Sequence, residues 1–280
     1  MNTSDLKSFH YLENGQIQFS LFDTIKSSKT LDSGFYNLVY DDNRNQVTVE
    51  LSVSPEKTKI HEFPDKEKLD EFFLAFYNKS VYSKIKSLGF CHKAGILLYG
   101  KEGTGKSTIL KHYASAAFKK ENAIVFYMTR SYFAACWDFV RQIRAIQENP
   151  IVIIMEEFDQ FVNSNGMEAT VKTIMDGNLS IDNCVFLSAT NYIESIPAAL
   201  KNRASRFKHV LDIEGIQNVE DVISILSPMI HGLFTPEEIQ VFANDLKGST
   251  IDAIKQFALD KLMDLKTYKK EKNTIGFKIG

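Results

Sequence analysis

Cysteine is scarce and unpatterned in this sequence. Its three cysteines, Cys91, Cys136 and Cys184, lie far apart and without C-x-x-C spacing. That excludes a disulfide framework, argues against structural zinc and points to a reducing compartment. The six histidines are equally dispersed. No apolar run approaches the ~20 residues that a bilayer span needs, and the opening Met-Asn-Thr-Ser-Asp-Leu-Lys has no signal-peptide core. A soluble, cytoplasmic protein with no membrane partner is therefore expected. Nor does one sign of charge dominate: 33 basic and 35 acidic residues leave a formal net charge of −2, so no global field draws in nucleic acid. A local basic groove stays open, and nucleic acid with it.

What is present is concentrated in Gly100–Ser107, which reads Gly-Lys-Glu-Gly-Thr-Gly-Lys-Ser. An apolar run (Gly95-Ile-Leu-Leu-Tyr99) precedes it, and a helical pattern (Ile109, Leu110, Tyr113, Ala114, Ala117, Phe118) follows. This is G-x-x-x-x-G-K-[ST] in the strand–loop–helix context that gives the phosphate loop its meaning. Glycines let consecutive N–H groups curl around phosphate oxygens, and the helix turns its free N–H groups on the same anion. Nucleotide contacts are expected from Gly100, Lys101, Glu102, Gly103, Thr104, Gly105, Lys106, Ser107 and Thr108, with Lys106 reaching the β- and γ-phosphates of ATP and Ser107 on Mg²⁺.

Residues 1–60 read as a small β-rich module. Ile17, Phe19 and Leu21 alternate with polar neighbours, and Phe35–Tyr40 and Val47–Val53 flank the turn-rich Asp-Asp-Asn-Arg-Asn, the signature of a β-hairpin. Such a module recruits a partner or serves packing; the residues do not separate the two. Ser54–Lys59 is a linker candidate. From Asp65 a helical face of Leu69, Phe72, Phe73, Phe76 and Tyr77 reads as core, and Ile60–Pro64 just before it is a candidate wall for an adenine base. From residue 95 onward apolar strands (95–99, 123–128, 151–155, 184–187, 207–213) alternate with amphipathic helices. That pattern predicts an α/β fold, a doubly wound, five-stranded parallel sheet covered on both faces, over residues 61–215. Residues 216–268 read as a helical lid, with a capping box at Thr235-Pro-Glu-Glu238, and residues 269–280 as a charged tail around Phe277 that frays or docks.

A second decisive stretch is Ile151-Val-Ile-Ile-Met-Glu-Glu-Phe-Asp159. A buried strand ends in carboxylates beside the phosphate loop, where one is needed to hold Mg²⁺ and another to orient and deprotonate a water. With that stretch in place, residues from about Leu88 to Leu265 resemble an AAA+ ATPase. The family's Walker B ending, hydrophobic–Asp-Glu, reads Met155-Glu156-Glu157 here. The resemblance implies Glu157 as the catalytic carboxylate, with Glu156 on the magnesium side and one methylene longer than usual. Phe186-Leu-Ser-Ala-Thr-Asn191 is similar to the sensor-1 segment, implying that Asn191 senses the γ-phosphate. Ile196–Phe207 resembles the second region of homology, implying that Arg203 and Arg206 act on a neighbouring subunit's nucleotide, with Arg206 favoured as the finger proper. Forked, permanently charged guanidinium suits that task.

No arginine follows Arg206, so the lid cannot offer a sensor-2 arginine. Gly248-Ser249-Thr-Ile-Asp252 is similar to the branch that does without one, whose members mostly remodel proteins as hexameric rings; Lys247 or Lys255 is the available substitute. Tyr132-Phe133 falls at the family's substrate-gripping loop, although Phe133 also fits a helical core stripe with Trp137. The resemblance thus implies an ATP-hydrolysing homo-oligomer, a hexameric ring, that remodels, unfolds or assembles protein substrates. A nucleic-acid loader or initiator, or a slowly hydrolysing regulatory component, are the alternatives it leaves.

Overall fold

The computed structural model describes residues 8–11, 17–20, 29–41, 46–53, 60–164 and 166–272. The 54–59 linker candidate and Phe277 of the tail lie outside the described residues. The chain divides into two compact units, 1–31 and 32–280. In the first, strands β1 (Ser8–Tyr11) and β2 (Ile17–Ser20) pair antiparallel, with Phe9 opposite Phe19.

The second unit is built on a seven-stranded sheet rather than the five strands expected. The five predicted strands are all there and all parallel: β5 (Lys93–Tyr99), β6 (Ile124–Tyr127), β7 (Ile151–Met155), β8 (Cys184–Thr190) and β9 (His209–Asp212). They stand in the order β6-β7-β8-β5-β9. Their residues are buried almost throughout because helices cover both faces; all five residues of β7 are fully buried. The two further strands correct the expectation of a separate module over residues 1–60. Strands β3 (Gly34–Asp41) and β4 (Gln46–Ser52) form the expected hairpin, but β3 pairs parallel to β6 and extends the sheet. Phe35 and Leu38 are buried there as deeply as any strand residue of the core.

Helices α1 (Lys66–Phe76), α2 (Lys79–Ser87) and α3 (Lys106–Glu121) follow the hairpin and the phosphate loop. Leu69, Phe72 and Phe73 of α1 meet Leu110, Tyr113 and Ala114 of α3 and Ala94, Ile96 and Leu98 of β5 in one cluster. Alternation along β5 sends its other residues to the opposite face. Helices α4 (Phe133–Ile146), α5 (Phe158–Val162) and α6 (Met167–Asp176) bury their apolar sides as well. Trp137 of α4 lies against Phe186 of β8, ring centroids 5.7 Å apart, and its indole N–H donates to Leu179 O at 2.9 Å. The short α7 (Ala198–Lys201) leads into β9.

The C-terminal helices form a second, smaller core. Helices α8 (Val219–Ile230), α9 (Pro236–Asp245) and α10 (Ile251–Lys272) bury Val222, Leu226, Ile230, Ala243 and Ile254 together. The capping box of α9 is formed: Glu238 N donates to Thr235 Oγ1 at 3.2 Å and Thr235 N to Glu238 Oε2 at 2.7 Å. Among the described residues no helix is long and apolar enough to cross a membrane.

Because the hairpin is part of the sheet, removing side-chain volume from it should destabilise the sheet. Leu38→Ala creates a cavity at a fully buried site and is expected to cost about 2–5 kcal/mol. The chain's single tryptophan, Trp137, lies on α4, which packs against the hairpin, and so reports on that side of the sheet. Its fluorescence midpoint in urea should fall with the substitution; an unchanged midpoint would mean that the hairpin unfolds on its own.

Candidate functional site

The phosphate loop leaves β5 at Tyr99 and enters α3 at Lys106. Gly100, Gly103 and Gly105 take φ of 140°, 77° and 94°, a backbone region that side chains rarely enter. The curl encloses the lysine. Lys106 is 7% exposed, and its Nζ donates to Gly100 O at 2.8 Å and Lys101 O at 2.7 Å. Burial pushes its pKa below the ordinary lysine range, with Glu102 and Asp212 opposing.

Beside the loop lies a cleft of about 300 Å³. Glu102, Gly103, Gly105, Lys106, Ser107 and Thr108 line it from one side. Glu156 and Glu157 enter from the end of β7, and Asn191 from the end of β8. Gly100, Lys101 and Thr104 line an adjoining pocket of about 430 Å³ that shares Asn191. A small recess opens behind Gly105 and Thr108, walled by Ile60, Phe63, Ile216 and Ile251. Its apolar lining suits the flat face of a base, and Ile60–Pro64 is the segment the sequence singled out for that task.

The two carboxylates are held differently. Glu157 begins α5 with φ of 53°, which turns it away from the line of the strand. Its Oε2 accepts from Gln160 Nε2 at 2.5 Å, and Gln160 Oε1 accepts in turn from Arg130 Nη1 at 2.6 Å. Glu156 Oε1 lies 3.6 Å from Lys111 Nζ, is buried and has no hydrogen-bond partner. Glu156 and Ser107 line the same cleft, and a carboxylate with an unfilled oxygen beside a hydroxyl is a donor set that fits a hard, oxygen-seeking cation such as Mg²⁺. Asn191 is fixed by the turn around it: Thr190 Oγ1 donates to Asp159 Oδ1 at 2.6 Å and accepts from Tyr192 N at 3.0 Å.

The arginines do not line this cleft, and they are held differently from each other. Asp176, at the end of α6, binds both: Arg206 Nη2 lies 3.0 Å from Oδ1 and Arg203 Nε 3.3 Å from Oδ2. Arg206 Nη1 also donates to Ala199 O at 2.6 Å, and its side chain is only 8% exposed against 62% for Arg203. Burial alone would raise the Asp176 pKa, but hydrogen bonds from Arg206 and Ser205 and the charge of both arginines hold it below the usual carboxylate range. Breaking a buried pair costs about 3–5 kcal/mol, whereas an exposed one is worth about 0.2–1 kcal/mol. Arg206 is therefore held by buried contacts, whereas Arg203 makes a mostly exposed one. Gly95 permits the arrangement, since a Cβ there would lie 2.1 Å from Arg206 O.

Of the two aromatic residues, Phe133 is 2% exposed and packs edge-on against Phe161 at 5.5 Å. The substrate contact expected of it is corrected: it is a core residue, in keeping with its helical stripe. Tyr132 remains 49% exposed, in front of α4.

Several groups at the site carry no local sequence signal. Asp176 lies in an ordinary helical pattern. Gln160 is a polar residue one turn beyond Glu157. The lid contributes Asp252 and Lys255 to the cleft, Asp252 N donating to Gly103 O at 3.3 Å. Lys255 was one of two candidate lid cations; Lys247 is not among the cleft residues.

Residues 96–214 match the family model described as ATPase family associated with various cellular activities (AAA). The human ATPase family gene 2 protein homolog A is 29% identical over 58% of this chain and 20% of its own length. An ATPase family AAA domain-containing protein of Arabidopsis thaliana is 32% identical over 40% of this chain and 11% of its own. The proteasome-activating nucleotidase of Saccharolobus islandicus is 27% identical over 46% and 36%. The matched stretch thus covers well under half the length of each of these relatives. Through the phosphate loop, the strand that ends in Glu156-Glu157 and the sheet that joins them, residues 96–214 of this chain are similar to the AAA ATPase family.

Proposed function

We propose that the protein hydrolyses ATP and uses the cycle to remodel polypeptides, working as a ring of identical subunits. The observation that carries this reading is the cleft itself. Lys106 and Ser107 from the loop, Glu156 and Glu157 from β7 and Asn191 from β8 converge there from separate parts of the chain. The polypeptide substrate and the ring rest on similarity to relatives such as the proteasome-activating nucleotidase, and the residues expected at each step follow.

The glycine curl and the start of α3 receive the phosphates, with Lys106 exchanging its two loop carbonyls for phosphate oxygens. Ser107 and Glu156 would hold Mg²⁺, which when bound neutralises charge on the phosphate oxygens. Glu157 accepts a proton from the attacking water; Gln160 occupies one oxygen and leaves the carboxylate further acceptor sites. Asn191 orients that water or the γ-phosphate. The recess at Ile60 and Ile216 takes the base. Arg203 reaches across to the neighbouring subunit's γ-phosphate, where a positive fork stabilises charge that spreads in the transition state.

Lys106→Ala should abolish ATP binding in a fluorescent-nucleotide titration, and affinity equal to the unsubstituted chain would remove the loop assignment. Glu157→Gln should bind ATP normally yet hydrolyse it at least about 100-fold more slowly. Both are read on the full chain.

The arginines should separate by assay. Arg203→Ala is expected to lower turnover about 1000-fold while shifting stability by less than about 1 kcal/mol. Arg206→Ala is expected to destabilise the fold by about 3–5 kcal/mol. Turnover per subunit in the unsubstituted protein should fall as subunits dissociate on dilution. A rate that stays constant for verified monomers would overturn the assignment of Arg203 to a neighbour's site.

A further inference from the structure

The sheet extension gives the loop after β6 a neighbour that the sequence did not reveal. Asn37 of β3 pairs with Tyr127 of β6, so the last residues of β3 run on alongside the segment that follows β6. There the ring of Tyr40 stacks on the ring of Tyr132, with centroids 4.0 Å apart and planes 14° from parallel. Tyr132 itself has φ of 56°, a left-handed conformation that a bulky residue keeps only when its surroundings over-determine it. Those surroundings are visible. On one side Thr129 Oγ1 donates to Ser131 O at 3.2 Å. On the other, the adjacent Phe133 is anchored against Phe161. Tyr40 supplies the third restraint, on the ring itself, while leaving Tyr132 half exposed.

We propose that Tyr40 is a positioning residue that holds Tyr132 as a preset aromatic face for an extended polypeptide, at the same sheet edge that carries the nucleotide cleft. This rests on the polypeptide-remodelling reading above. A solitary exposed tyrosine loses rotamer freedom when a ligand settles on it, and a ring already stacked has little left to lose. A flat ring accepts aliphatic and peptide groups without demanding one sequence, which suits an unfolded chain better than a single motif. The same loop also touches the nucleotide side: Arg130, two residues before Tyr132, donates to the Gln160 that holds Glu157. A chain seated on Tyr132 would therefore bear on the hydrolytic carboxylate through one short segment.

The test is the dissociation constant of fluorescein-labelled, reduced and carboxymethylated α-lactalbumin, measured by anisotropy on the full chain with ATPγS. Tyr132→Ala and Tyr40→Ala should each weaken binding about fivefold, and Tyr40→Phe, which keeps the stack, should stay within about twofold. Tyr40→Leu, which keeps apolar bulk in the strand, should behave like Tyr40→Ala and decides the matter if the alanine variant does not fold. Weakening by Tyr132→Ala with unchanged binding by Tyr40→Leu would overturn the positioning role and leave the polypeptide reading standing. Equal weakening by Tyr40→Phe and Tyr40→Leu would also overturn it, since the ring stack would then not be the cause. No saturable binding by the unsubstituted chain would sink the polypeptide reading itself.

Discussion

The site depends on the register of three parallel strands. Leu98 of β5 lies opposite Ala189 of β8, and Met155 of β7 opposite Ser188. The three chains therefore emerge from the sheet within about two residues of each other: the phosphate loop at Gly100, the carboxylates at Glu156 and Glu157, and the polar turn at Thr190 and Asn191. A slip of one residue in β7 would turn Ile151, Ile153 and Met155 toward the layer now served by Val152 and Ile154. With both faces packed, no such slip is available without rebuilding two layers. Burial on both faces thus does more than stabilise the strand; it sets the level at which Glu156 and Glu157 leave it.

A different constraint governs the arginines. One carboxylate, Asp176, serves two guanidinium groups that lie three residues apart but differ widely in exposure. Removing the buried partner would leave Asp176 and the Ala199 carbonyl short of their strongest donor. Moving the exposed partner gives up only a solvent-screened contact. The pair thus divides into a buried anchor and an exposed arm, and just after the anchor the chain is tied back to β5 by Lys208 N donating to Gly95 O at 2.8 Å.

Much of this was legible in the chain before any coordinates, because the informative patterns are local. Continuous apolar runs marked the five parallel strands, the phosphate loop carried its own spacing, and Thr235-Pro-Glu-Glu238 marked the start of α9. Legibility ended where meaning depends on a distant neighbour. The β3–β4 hairpin alternates in the same way whether its open edge faces solvent or another strand, so its attachment to β6 could not be read. Arg206 is of a residue type that usually faces water, and nothing nearby announces the carboxylate of Asp176 that draws it inward. Phe133 and Tyr132 were ambiguous for a related reason: a helical stripe predicts burial for a residue inside α4, but one position earlier the pattern stops and only packing decides.

The hairpin also bears on how the sheet ends. Every residue of β6 from Ile124 to Phe126 is fully buried, and a strand of that composition left at an edge would be a template for unwanted pairing. Adding β3 satisfies the β6 backbone and brings Phe35 and Leu38 into the layers on either side. The new edge is β4, where Thr48, Glu50 and Ser52 alternate with Val47, Val49 and Leu51. A charge at the middle of an edge strand resists further pairing in a way that Ile-Val-Phe cannot. The extension therefore moves the exposed edge from an apolar strand to an amphipathic one. In the same step it places Tyr40 over the loop that leads from β6 to α4, so protection of the edge and support of Tyr132 come from one pair of strands.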